Sequence, residues 1–198
     1  GAASTHDRFR IDAAGNGTWA RIAQTLKKLD AARVEYNILC VVNEEVAAQP
    51  AEVMAALRGF RFLQFIPCLD PLDGIQDEFS LQPETYLSFL KHTFDEYAAA
   101  FRTSSPLSIR MFDNWIGLLR GFPAENCAMI GRCGASVMIE SNGDIYPCDF
   151  YGLDEWKLGN ICTDSLLGVL NSEKESRFIR ESLPVPAQIG RASCRERV

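Results

Sequence analysis

Between Thr18 and Ala32, Trp19, Ile22, Leu26 and Leu29 recur at helical spacing just after the turn-forming "AAGNG", which predicts an amphipathic helix. "VEYNILCVVN", Val34 to Asn43, is β-branched and almost continuously apolar, the pattern of a strand buried on both faces. "PAEVMAALRG" opens on proline and closes on glycine, the end signals of a helix. "FRFLQFIP", Phe60 to Pro67, reads as a second buried strand. In "PETYLSFLKHTFDEYAAAF" a stripe of Leu87, Leu90, Phe94, Tyr97 and Phe101 marks a long helix. "LSIRMF" then predicts a short strand and "DNWIGLLRG" a short helix. Such alternation is the rhythm of parallel βα units. Two or three strands cannot close a barrel or shield both sheet edges. The expected fold class is therefore α/β, the second half of a partial βα barrel.

Near Cys127 the pattern changes. "SVMIE" and "DIYP" flank Ser141-Asn142-Gly143-Asp144, and Asn-Gly between apolar runs is a strong hairpin signal. "LDEWKLGN" reads as a loop, and two short helical runs follow, Asp164 to Leu170 and Glu173 to Leu183.

Charge narrows the function. The 198 residues carry a formal net charge of -6, and no basic face is visible to neutralise phosphates, so nucleic acid is not an expected partner. The longest apolar run, "ILCVV", is too short to span a bilayer. No signal-peptide core opens the chain, and the expected location is cytoplasmic, with no membrane partner. At the other end, Ile189 to Val198, "IGRASCRERV", resembles the in-frame translation of a sequencing adapter. Cys194 is set aside on that ground; a natural basic tail is the alternative.

Six cysteines remain. Cys40 lies mid-strand as a small core residue, Cys68 follows a strand-ending proline, and Cys162 has no partner at metal-like spacing. Cys127, Cys133 and Cys148 are different, since two share a loop and the third follows the hairpin. Zinc favours tighter C-x2-C pairs, a disulfide is disfavoured in a reducing compartment, and an iron–sulfur cluster tolerates irregular spacing. Spacing alone leaves all three open.

The wording of the segment says more. "ENCAMIGRCGASVMIESNGDIYPCDFYGLDEWKLGNI" closely resembles anaerobic sulfatase-maturating enzymes, which are radical S-adenosylmethionine (SAM) proteins with a C-terminal SPASM domain. Further matches are "HD-x-x-R" at His6 to Arg10, "NILCVVN" at Asn37 to Asn43, "LQFIPCLDP" at Leu63 to Pro71 and "SIRMFDN" at Ser108 to Asn114. The resemblance implies oxidation of a sulfatase cysteine or serine to Cα-formylglycine, with SAM and [4Fe–4S] clusters as cofactors. The implied partners are a sulfatase polypeptide and an electron donor such as flavodoxin or ferredoxin. Under the resemblance, residues 1–122 form the second half of the radical SAM barrel, 123–188 begin the SPASM domain, and 189–198 are adapter.

Residue by residue, Cys127, Cys133 and Cys148 match three ligands of one auxiliary cluster. The family's fourth ligand lies downstream, where this chain carries the adapter-like string. The radical-generating C-x3-C-x2-C is absent from the sequence, so the chain alone is expected to be inactive. Asp149 matches the family's proposed general base; without the family it reads as a turn or capping residue. Asn43 and Gln64 are expected near the C-terminal ends of barrel strands, where functional groups gather. A satisfied buried amide is the other reading of Gln64. Arg10 suits the carboxylate of SAM, against a surface ion pair with Asp7 or Asp12. The rival functions are a different SPASM peptide-modifying maturase and a non-catalytic zinc-binding domain.

Overall fold

The computed structural model describes residues 2–70, 75–102, 107–125 and 127–183, the side chain of Ala128 excepted. Cys194 and the adapter-like string lie outside these. The chain divides into two compact units that part between Arg120 and Gly121.

The first unit opens with helix α1, Ala3–Phe9, and helix α2, Trp19–Ala31. The Asp7 carboxylate accepts the Trp19 amide at 2.8 Å, satisfying one of the free N–H groups at the α2 start. Gly17 is required there, because a Cβ would lie 2.2 Å from Asp7 Cγ. Burial holds the pKa of His6 below its usual range, with its Nε2 lying 3.1 Å from Thr18 Oγ1. At the far end Arg33 takes a left-handed φ of 54°. The Arg33 and Val34 amides reach back to Asp30 and Leu29 carbonyls, a helix stop that ordinarily uses glycine.

Strands β1 (Ile38–Val42), β2 (Phe62–Pro67) and β3 (Ser108–Ile109) form a parallel sheet in that order. Its register runs from Ile38 opposite Leu63 to Val42 opposite Pro67, then Leu63 opposite Ile109. Helices α3 (Glu44–Ala47) and α4 (Pro50–Ala56) connect β1 to β2, and α5 (Pro83–Ala100) lies between β2 and β3. Helix α6 follows as Arg110–Leu119. One sheet face contributes Cys40, Val42, Leu63, Phe65 and Ile109 to a core completed by Val46, Val53, Met54, Phe89 and Phe112 from the helices.

Three expectations change here. The first strand is buried on one face only: Leu39 and Val41 are 61% and 41% exposed on the other. On α5 the buried line is Phe89, Thr93 and Tyr97, whereas Leu87 and Phe101 lie largely outside and Phe94 sits at the margin, packed edge to face on Phe112. Phe89 wins the inward position by meeting Phe65 edge to face at 5.0 Å, and Thr93 can follow because its hydroxyl donates to the Phe89 carbonyl. Finally, "LSIRMF" is strand only at Ser108–Ile109; Arg110 onward is already helix.

The second unit carries helix α7 (Cys127–Ile130), then strands β4 (Met138–Ile139), β5 (Asp144–Tyr146) and β6 (Gly159–Asn160) in an antiparallel sheet. The hairpin turn closes with the Gly143 amide on the Glu140 carbonyl, and Gly143 has φ 87°, the place where a left-handed residue favours glycine. "LDEWKLGN" is not all loop, since Gly159–Asn160 pairs with β5. The Asn160 side chain secures this, donating to the Asn142 carbonyl and Asp144 Oδ1. Helices α8 (Leu166–Leu170) and α9 (Glu173–Glu181) follow, each begun by a serine hydroxyl cap. No helix among the described residues is long and apolar enough to cross a membrane.

Candidate metal centre

The hairpin sets the position of one candidate ligand. Ser136 Oγ donates to the Pro147 carbonyl at 3.0 Å, tying the two strands where they leave the turn-distal end. Cys148 follows in extended conformation, and a tight helical turn, Asp149–Tyr151, starts immediately after it. The Cys148 thiol donates to Asp149 Oδ1 at 3.2 Å. Burial pushes that thiol's pKa up, helped by the Asp149 carboxylate and by the nearby Cys127. Asp149 itself is exposed.

The other two cysteines come from the loop before the hairpin. Cys127 begins α7 and is exposed; Cys133 is half-buried, its amide donating to Ser182 Oγ at 2.9 Å. All three thiols are free, with no disulfide to occupy them. In donor chemistry they fit an iron–sulfur cluster, which is held by cysteine thiolates. Among the described residues, however, no three His, Cys, Asp or Glu side chains gather closely enough to hold a metal ion. The three thiols therefore do not close a site among the described residues.

The remaining candidates belong to the first unit. Arg10, Asn43, Leu39, Val41 and Ile66 line a cleft of about 660 Å³ on the open face of the parallel sheet. Arg10 is exposed and forms no ion pair with Asp7 or Asp12. Asn43 directly follows β1, where its Oδ1 accepts the Val46 amide at 3.0 Å and caps α3. Gln64 sits mid-strand opposite Leu39, not at the strand end. Its Oε1 accepts from Arg110 Nη1 at 3.4 Å. Sequence reasoning passed over Arg110, whose place in "SIRMFDN" was its only signal, and Ser182, which had none.

Residues 127–195 match the SPASM family, an iron–sulfur cluster-binding domain. The candidate thiols and their hairpin thus lie in a segment of cluster-binding type. Homologues of the chain include anaerobic sulfatase-maturating enzymes. It is 39% identical to the cysteine-type enzyme of Clostridium novyi over 187 residues, 92% of this chain and 50% of that protein. Against the cysteine-type enzyme of Clostridium perfringens the identity is 35%, covering 93% and 51%. A serine-type enzyme of Bacteroides thetaiotaomicron is 29% identical, covering 87% and 46%. Among solved structures, native anSMEcpe with bound AdoMet and a bound peptide superposes with a TM-score of 0.87 at 35% identity, covering 96% of this chain and 54% of that one. The chain spans about half the length of the curated relatives it matches.

Proposed function

We propose that this chain is the second half of a radical SAM barrel with the start of a SPASM domain, from an enzyme that oxidises a sulfatase cysteine or serine to Cα-formylglycine. The reading rests on one coincidence. A segment of cluster-binding type carries the three candidate cysteines, all free, and an exposed carboxylate, Asp149, next to one of them, in a chain 39% identical to a cysteine-type sulfatase-maturating enzyme.

Cys127, Cys133 and Cys148 would hold an auxiliary [4Fe–4S] cluster, and SAM supplies the radical chemistry when bound. Asp149 has the proton work. A thiol of ordinary pKa, about 8.5, is mostly protonated at neutral pH, and a carboxylate within hydrogen-bond reach removes that proton as the target carbon is oxidised. Exposure leaves Asp149 free to meet an incoming peptide. Arg10 would pair with the SAM carboxylate, being exposed and uncommitted at the rim of a cleft. Asn43 would line the same cleft, through its shape more than its carbonyl oxygen, which α3 already uses; Gln64, which accepts from Arg110, would be a further contact to SAM. A sulfatase polypeptide is the proposed substrate, a flavodoxin or ferredoxin the electron donor, and the cytoplasm the compartment.

The test is Asp149→Asn in a polypeptide that also carries the C-x3-C-x2-C half. Formylglycine formation in a sulfatase peptide is expected to fall by roughly 10²–10⁴-fold, the usual contribution of a general base, while 5′-deoxyadenosine release continues. Formylglycine at the unsubstituted rate would remove Asp149 from the mechanism.

A further inference from the structure

We propose that Ser182 is a positioning residue for the Cys133 arm of the candidate cluster, holding it against α9; the cluster part of this rests on the reading above. Helix α9 touches both cysteine-bearing segments. Through Phe178 it packs on Tyr151, three residues past Cys148, with ring centroids 5.1 Å apart. At its C-terminal end, Ser182 Oγ accepts the Cys133 amide at 2.9 Å and donates to the Ile179 carbonyl at 2.6 Å. The hydroxyl is therefore fixed by its own helix, and spans 49 residues of sequence to reach the loop.

Cys133 lies between Gly131, with φ 76°, and Gly134, and neither glycine has an atom near the position a Cβ would take. A backbone so permissive samples many conformations unless something pins it. A single hydrogen bond to a half-buried amide supplies the pin. It has an electronic consequence as well. Amides around a cluster tune it by hydrogen bonding to its sulfurs. Ser182 commits the Cys133 amide elsewhere, so this N–H is withheld from sulfur and the thiol is presented by position alone.

The test uses the 198-residue chain, reduced and metal-free, alkylated under native conditions with iodoacetamide and read cysteine by cysteine by peptide mass spectrometry. Ser182→Ala is expected to accelerate alkylation of Cys133 several-fold and to leave the exposed Cys127 and Cys162 unchanged. Ser182→Thr, which keeps the hydroxyl, is expected to restore the original Cys133 rate. An unchanged Cys133 rate in Ser182→Ala overturns the proposal. So does equal acceleration at Cys133, Cys148 and Cys162, which would report a general loosening of the unit. Anaerobic loading of the unsubstituted chain with ferrous iron and sulfide is the separate arm. The expected result is iron bound together with acid-labile sulfide; iron bound without acid-labile sulfide, or no iron bound, would overturn the cluster half and leave the hold on Cys133 standing.

Discussion

Asp113 joins three elements of the first unit. From α6 it accepts Tyr97 Oη of α5 at 2.6 Å and Ser108 Oγ of β3 at 2.5 Å. Tyr97 is 1% exposed, so its hydroxyl has no water to fall back on. A hydrogen bond to a charged group contributes about 1.5–3 kcal/mol. Asp113→Ala removes two and orphans the Tyr97 hydroxyl, for an expected loss of about 3–5 kcal/mol. Tyr97→Phe removes one bond without orphaning a buried donor, and is expected to cost less, about 1.5–3 kcal/mol. On the Tyr97→Phe background, Asp113→Ala should cost less than it does alone, giving a coupling of roughly 1.5–3 kcal/mol. Native-state hydrogen exchange on β3 and α6 peptides reads this in the first unit alone. Additivity within about 0.5 kcal/mol would refute the claim that the two side chains act together. The same bond has a pH signature. Burial, and then the Asp113 hydrogen bond and charge, raise the Tyr97 pKa above its ordinary 10.0. The raised folded value means this stabilisation is complete below pH 10 and disappears as pH climbs through the folded value. Tyr36, Tyr86 and Tyr146 are also raised, so the Tyr97 share is the part of the alkaline slope missing from Tyr97→Phe.

Two further outcomes follow from packing and backbone. Phe89→Ala should cost about 3–5 kcal/mol, as for a fully buried phenylalanine, while Leu87→Ala, at a position 52% exposed, should stay within about 0.5 kcal/mol; urea denaturation distinguishes them, and the reverse order would restore the Leu87 stripe as the inward face. Arg33→Gly should stabilise the first unit by roughly 0.5–1 kcal/mol, since relief of about 1–2 kcal/mol of left-handed strain exceeds the 0.4–1 kcal/mol entropy cost of a glycine; a lowered thermal midpoint would contradict it.

Much of the architecture was legible, and the failures share a cause. Long apolar runs located β1, β2 and α5 because burial demands them whatever the partner. The inward face of α5 was misjudged because a polar residue occupies its middle: Thr93 is wholly buried, its hydroxyl satisfied by Phe89. Strand β6 escaped because Gly159 and Asn160 have no strand preference, and its pairing depends on the Asn160 side chain. Asn43 drew notice as a polar residue after a strand, and the structure gives it the local task of capping α3. At the candidate centre, the cysteines stood out by their company in "YPCDFY", but Ser182 did not, because an isolated serine at a helix end has no pattern to betray a contact 49 residues away.

The hairpin turn also bears on how this protein ages. Asn-Gly is the dipeptide in which a backbone amide most readily attacks the preceding carboxamide, converting asparagine to aspartate through a cyclic imide. Here the Gly143 amide, which would be the nucleophile, is engaged by the Glu140 carbonyl. The carboxamide it would attack is held at both ends by Asp144, through Asp144 Oδ2 and the Asp144 amide. Conversion at Asn142 therefore requires the turn to open first. Its slow accumulation in stored protein would act as a chemical clock, counting the openings of the hairpin that carries Cys148.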